Sequence, residues 1–240
     1  MTLVQTELKK CYIWSTAVKK IYKGSTKIRP AWWTPGANTT LYLPLNWDIT
    51  DPYNQVTYNW VWTSSFATWS TGVQAANFTW SNAISLWAST DFEQWTGEMT
   101  ILFWFTSNLS WDQRCEFNNN GKYFMGVRIN SSKLGFYCKN SLSANQWESG
   151  TTTLTSWTKY LAALTMKENW QAILYLNWNV EKTISIGTFR TLTSQFWQHI
   201  GAGRTADTPA EFWKGMIKDF IIEKKIRTVD EITNYYNQTK

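Results

Sequence analysis

Glycine is scarce in this chain, 12 of 240 residues, where ordinary usage is about 7 %. Histidine is scarcer, with a single copy at His199. One imidazole excludes a His-rich metal centre. Nothing beside it marks the base, nucleophile and orienting acid of a triad, so a hydrogen-bonded histidine on a strand is the ordinary reading. The three cysteines, Cys11, Cys115 and Cys138, are odd in number and lack metal-ligand spacing, which points to reduced thiols. A pairing of Cys115 with Cys138 across neighbouring strands is the alternative. No apolar run reaches the length of a membrane span. The polar segment Met1 to Lys10 lacks the apolar region of a secretory signal. Neither a membrane partner nor export by the general secretory route is therefore expected. Lys and Arg are absent from Pro30 through Gln113. That absence argues against nucleic-acid binding by the main part of the chain, since phosphate contacts need cations.

Tryptophan is abundant instead, with 18 copies, and several stand where glycine would suit the backbone. Tyr12-Ile13-Trp14-Ser15-Thr16-Ala17-Val18 is followed ten residues later by Tyr22-Lys23-Gly24-Ser25-Thr26-Lys27-Ile28, which sets Trp14 opposite Gly24. Leu174-Tyr175-Leu176-Asn177-Trp178-Asn179-Val180 joins two apolar runs through an Asn-x-Asn turn, where hairpin geometry asks for positive φ. Trp47, Trp69 and Trp80 share this turn-like context. Two readings compete: genuine tryptophans that build stacking platforms or an aromatic core, or UGA codons that the source reads as glycine. Trp104, inside Thr100-Ile101-Leu102-Phe103-Trp104-Phe105, and Trp157, opening another strand, read as genuine core aromatics.

The net charge of +6 is confined to the first 29 residues. These carry Lys9, Lys10, Lys19, Lys20, Lys23, Lys27 and Arg29 against Glu7 alone, and the remainder is neutral. A basic piece suits an acidic partner surface; lysines guarding exposed strand edges explain it equally. Strands near Cys11–Ile13, Ala17–Tyr22 and Lys27–Arg29 make residues 1–30 a small β module. Residues 31–39 read as a linker and 40–240 as the main domain. There, short runs recur at Val73–Phe78, Ala83–Leu86, Met99–Phe105, Tyr123–Ile129 and Lys133–Tyr137. They continue at Lys159–Met166, Gln171–Leu176, Thr183–Ile186, Phe196–Gly201 and Gly215–Glu223. Many short strands at even spacing predict an all-β fold, an antiparallel β-sandwich of jelly-roll type. One helix is expected, at the end: Thr228-Val229-Asp230-Glu231 is a capping box ahead of Ile232 and Tyr235-Tyr236.

Several segments, in order, carry a family pattern. Leu41-Tyr42-Leu43-Pro44-Leu45-Asn46-Trp47-Asp48 fits an opening strand with Trp47 in a glycine place. Gly72-Val73-Gln74-Ala75-Ala76-Asn77-Phe78-Thr79-Trp80-Ser81 fits the next segment with Trp80 in another. The Thr100 to Trp104 strand, Trp157 to Ala162, Leu174 to Trp178, Trp213 to Phe220, and Glu231-Ile232 with Tyr235-Tyr236 follow. Together, over about 200 residues, they resemble the laminin-G-like jelly roll of the concanavalin A-like lectin/glucanase superfamily. Trp47, Trp80 and Trp178 all fall on family glycines, which supports the recoding reading. The first 20 or so residues also resemble short segments that open phage virion proteins.

The resemblance implies either glycan binding or glucan hydrolysis. A retaining hydrolase of this class needs two carboxylates about 5–5.5 Å apart, which on a strand means a Glu-x-Asp-x-x-Glu signature. That signature is absent. Glu93 and Glu98 fall on opposite faces of a strand, and Asp91 with Glu93 lacks a third acid, so catalysis is not expected. Relatives sometimes hold calcium, for which Asp48 and Asp51 are the candidate oxygen ligands; an Asp-rich turn explains them too. Glycan recognition in this fold stacks an exposed aromatic on the sugar, and Trp33, Trp111 and Trp147, in polar segments, are the candidates. The expectation is a non-enzymatic adhesion or display protein of a phage virion, a tail fibre, baseplate or capsid-decoration component. It would contact a host-surface glycan or protein, attach to other virion proteins through residues 1–30, and possess the option of oligomerising. A glycoside hydrolase and a cellular surface adhesin are the alternatives.

Overall fold

The computed structural model describes residues 21–23, 26–28, 38–46, 49–51, 56–57, 59–61, 65–70, 72–79, 81–86, 97–109, 112–117, 125–139, 145–167, 169–187, 199–205 and 208–240. Strands β1 (Ile21–Lys23) and β2 (Thr26–Ile28) pair antiparallel. The expected strand at Cys11–Ile13 lies outside the described residues. Next come β3 (Thr39–Leu43), which begins within the expected linker, then the short pair β4 (Thr50–Asp51) and β5 (Val56–Thr57). They are followed by β6 (Asn59–Val61), β7 (Phe66–Ser70), β8 (Val73–Phe78), β9 (Ala83–Ser85) and β10 (Glu98–Phe105). Next are β11 (Gln113–Phe117), β12 (Met125–Asn130), β13 (Lys133–Lys139), β14 (Asn145–Thr153) and β15 (Tyr160–Lys167). The chain continues through β16 (Gln171–Leu176), β17 (Asn179–Ser185), β18 (His199–Ile200), β19 (Gly203–Thr205) and β20 (Thr208–Ala210). It ends in β21 (Gly215–Glu223) and the helix α1 (Val229–Thr239).

Two antiparallel sheets carry the fold. One is ordered β17-β16-β15-β10-β21-β8-β7, with β3 also on β21; the other is ordered β14-β13-β12-β11-β18-β9-β6. Strand β10 explains how they stack. Ile101, Phe103 and Phe105 point into the core between the sheets, whereas Leu102 and Trp104 point the other way, into a second apolar cluster. Side chains alternate along a strand, so an unbroken apolar run signals burial on both faces. Helix α1 supplies the second cover. Ile232, Tyr235 and Tyr236, at helical spacing, pack on Leu102, Trp104, Leu161 and Ile221. The predicted capping box is formed: Thr228 Oγ1 accepts from Glu231 N, and Glu231 Oε2 accepts from Thr228 N at 2.8 Å.

The aromatic core is genuine where strands meet. Trp213 is fully buried, meets Phe103 and Phe105 edge-on, and donates from Nε1 to Thr106 O at 2.9 Å. Trp104 is 3 % exposed, donates to Thr239 Oγ1 and lies against Tyr236.

Three tryptophan expectations need correction. Trp157 is no core residue: it is 55 % exposed and has φ 60° in the turn before β15, the left-handed region that a bulky side chain avoids. Trp69 sits in no turn: it lies in β7, is buried, and meets Trp104 edge-on at 6.4 Å. At the β16–β17 hairpin the positive φ, 61°, belongs to Asn177 and not to Trp178. Asn177 holds the turn by donating to Leu161 O and accepting from Leu161 N through Oδ1.

The cysteine alternative is also corrected. Strand β12 lies between β11, with Cys115, and β13, with Cys138, so the two are not on neighbouring strands. Cys115 is a free thiol in the core, and burial pushes its pKa up to about 12.

Candidate functional site

The outer face of the seven-stranded sheet is where polar and aromatic groups converge. Its inner face is fixed by Cys115, Val127, Ile129, Leu134 and Phe136, all in the inter-sheet core. Alternation then turns their neighbours outward. The register places Arg114, Arg128, Gly135 and Ser149 in one cross-strand row, and Glu116, Gly126, Tyr137 and Trp147 in the next. Gly126 is what lets Tyr137 lie flat across the sheet, since a Cβ there would stand 2.7 Å from the Tyr137 hydroxyl. Trp147 stacks on that ring, with centroids 5.2 Å apart and planes 18° apart. Tyr137 is fully covered while Trp147 stays 37 % exposed.

Two guanidinium groups frame the platform. Arg128 Cζ lies 4.6 Å, and Arg114 Cζ 4.9 Å, from the Trp147 ring centroid. Arg114 is neutralised by Asp112 at 2.7 Å and Glu211 at 2.8 Å. Burial works against its charge, yet Asp112, Tyr137 and Glu211 outweigh it and hold the pKa above the ordinary arginine value. Arg128 goes the other way. Burial, with Arg114 adding to it, outweighs Asp112, Tyr137 and Glu211 and lowers its pKa. The face thus combines an aromatic platform, planar cation donors and carboxylate acceptors, a set suited to a ligand with one apolar side and many hydroxyls.

The other candidate residues fare differently. Trp33, Trp111 and Asp48 lie outside the described residues. Asp51 is fully buried, and its Oδ2 accepts from Tyr42 N at 2.9 Å, so this oxygen serves the β3 backbone. Among the described residues no cluster of three or more His, Cys, Asp or Glu groups is placed to hold a metal. Asp91 and Glu93 lie outside the described residues, and Glu98 forms an exposed cross-strand ion pair with Lys167 at 3.0 Å. His199 is buried on β18, opposite Glu116 and Ser85. The sequence singled out Trp147 as a candidate and did not single out Arg114, Arg128 or Tyr137. The one available signal was that Arg114 ends the stretch without Lys or Arg.

Sheet order, the two-faced β10 and the capped closing helix define a concanavalin A-like sandwich. A family model described as the Concanavalin A-like lectin/glucanases superfamily matches residues 77–233. The chain belongs to that superfamily. No curated protein matches the sequence. Among solved structures, domain 4 of AbnA, a GH43 extracellular arabinanase from Geobacillus stearothermophilus in complex with arabinotriose, is similar in fold. Its TM-score is 0.65 at 13 % identity, over 83 % of this chain and 98 % of that one. The binding domain of Paraclostridial Mosquitocidal Protein 1 aligns with TM-score 0.68 and 11 % identity, over 84 % of this chain but 52 % of that chain. The CBM40 of a Ruminococcus gnavus IT-sialidase, bound to alpha2,3 sialyllactose, aligns with TM-score 0.51 and 15 % identity, over 59 % of this chain and 83 % of that one.

Proposed function

We propose that this chain is a non-catalytic glycan-binding protein of a phage virion, a tail-fibre, baseplate or capsid-decoration component. The outer face of its seven-stranded sheet contacts a host-surface glycan, and residues 1–30 attach it to other virion proteins. The observation that carries the binding role is the half-exposed Trp147 ring, backed by Tyr137 and flanked by Arg114 and Arg128. Neighbours of the same fold whose structures hold arabinotriose or sialyllactose support it. A glycan array probed with the full chain tests the reading. Trp147→Ala is expected to cost about 2 kcal/mol, roughly 30-fold in affinity, as removal of a central aromatic does. Retention of full binding by that variant defeats the site assignment. The virion role rests on the phage-like opening residues; absence of the protein from purified particles refutes it.

The source reads UGA as glycine at Trp14, Trp47, Trp80 and Trp178, and Trp157 joins them because its φ of 60° suits glycine. UGG codons at these positions end that idea.

A further inference from the structure

We propose that Arg128 is the counter-charge for a carboxylate on the bound glycan, so that this face selects carboxylated sugars over neutral ones. The inference rests on the glycan reading above and adds the class of ligand. Arg114 and Arg128 are direct cross-strand partners, and like charges so placed destabilise a sheet unless each is compensated. Asp112 and Glu211 make their direct ion pairs with Arg114 and act on Arg128 only through space. Arg128 is 9 % exposed, has no ion pair among the described residues, and its Nε has no hydrogen-bond partner there. A buried cation with no direct ion pair keeps part of its desolvation cost, and burial lowers the Arg128 pKa in spite of the two carboxylates.

Geometry says what kind of anion fits. With its guanidinium over the Trp147 ring, 4.6 Å from the centroid, Arg128 meets a sugar that stacks on the exposed remainder of that ring. A planar fork of N–H donors matches a carboxylate by two parallel hydrogen bonds. A carboxylated pyranose offers both complements at once: an apolar ring face for Trp147 and an anion for Arg128.

The test is calorimetric titration of the full chain with sialyllactose and with a glucuronate-terminated oligosaccharide, each against its carboxyl-amidated form. A charge-assisted hydrogen bond contributes about 1.5–3 kcal/mol, so the acid is expected to bind about 10- to 150-fold more tightly than its amide. The two acids show whether sialate or uronate is the source. Arg128→Gln should abolish the acid-over-amide preference, read as the ratio of the two affinities in the same variant. Equal binding of acid and amide by the unaltered chain overturns the proposal without recourse to any variant. So does an Arg128→Gln variant that weakens both alike, or tighter binding of a sulfated analogue than of the carboxylate. Failure to bind any glycan overturns the reading beneath it, a result distinct from equal binding.

Discussion

Replacing Glu181 by glutamine should loosen the seam between the two sheets. Glu181 lies on edge strand β17 of one sheet, and its carboxylate reaches edge strand β14 of the other. Oε2 accepts from Thr151 N and Thr152 N, both at 2.8 Å, and from Thr151 Oγ1 at 3.1 Å. Oε1 accepts from Thr152 Oγ1 at 2.7 Å. Gly150 makes room, since a Cβ there would stand 2.7 Å from Oε2. Hydrogen bonds to a charged group contribute about 1.5–3 kcal/mol each, but the threonines are exposed and water replaces part of what is lost. A net cost of about 2–3 kcal/mol follows, or about 1 M in the urea midpoint. Burial raises the Glu181 pKa, and the four hydrogen bonds more than reverse that, leaving it below its ordinary 4.5. A depressed carboxylate contributes stability that is full above its unfolded pKa and fades as pH falls through the folded one. The gap between the unaltered chain and Glu181→Gln should therefore be complete at neutral pH and shrink below about pH 4. Urea titrations at both pH values measure it. Equal midpoints at neutral pH, or a gap unchanged in acid, would refute the role given to the carboxylate.

Arg227 and Glu223 form a buried ion pair, with Nε to Oε2 at 2.6 Å and side chains 3 % and 5 % exposed. Arg227→Ala should cost about 3–5 kcal/mol, because it leaves a buried carboxylate without its partner; chemical denaturation reads this. With its pKa raised to about 12, the Cys115 thiol should not react with a thiol reagent at about pH 8 in the folded protein, and rapid native labelling at that position would contradict its placement. Trp157→Gly should raise stability by about 0.5–1 kcal/mol, since glycine relieves a left-handed backbone at a cost in chain entropy. Trp104→Gly should lower it by more than about 3 kcal/mol. A scan of melting temperatures compares the two, and a loss at Trp157 equal to that at Trp104 would show that its ring is packed after all.

The sequence by itself determined the strands that carry an apolar run or a clear apolar alternation. Val73–Phe78, Gln171–Leu176 and Gly215–Glu223 match β8, β16 and β21 because alternation and apolar runs report a core directly. The helix was legible from its cap, since Thr228 and Glu231 act within one turn of chain. Strands β11 and β14 were not legible. Arg114, Glu116, Gln146, Glu148 and Thr151 to Thr153 give no hydrophobic period, and these segments are strands because neighbouring strands hold them by register. Those two strands carry Arg114 and Trp147. Trp147 was a candidate from the sequence, but its surroundings were decided by strand register, which sets Arg114 opposite Arg128 and Tyr137 beside Trp147. Tertiary structure also decided among the tryptophans, because the sequence records their number, and only φ and burial separate Trp213 in the core from Trp157 at an exposed turn.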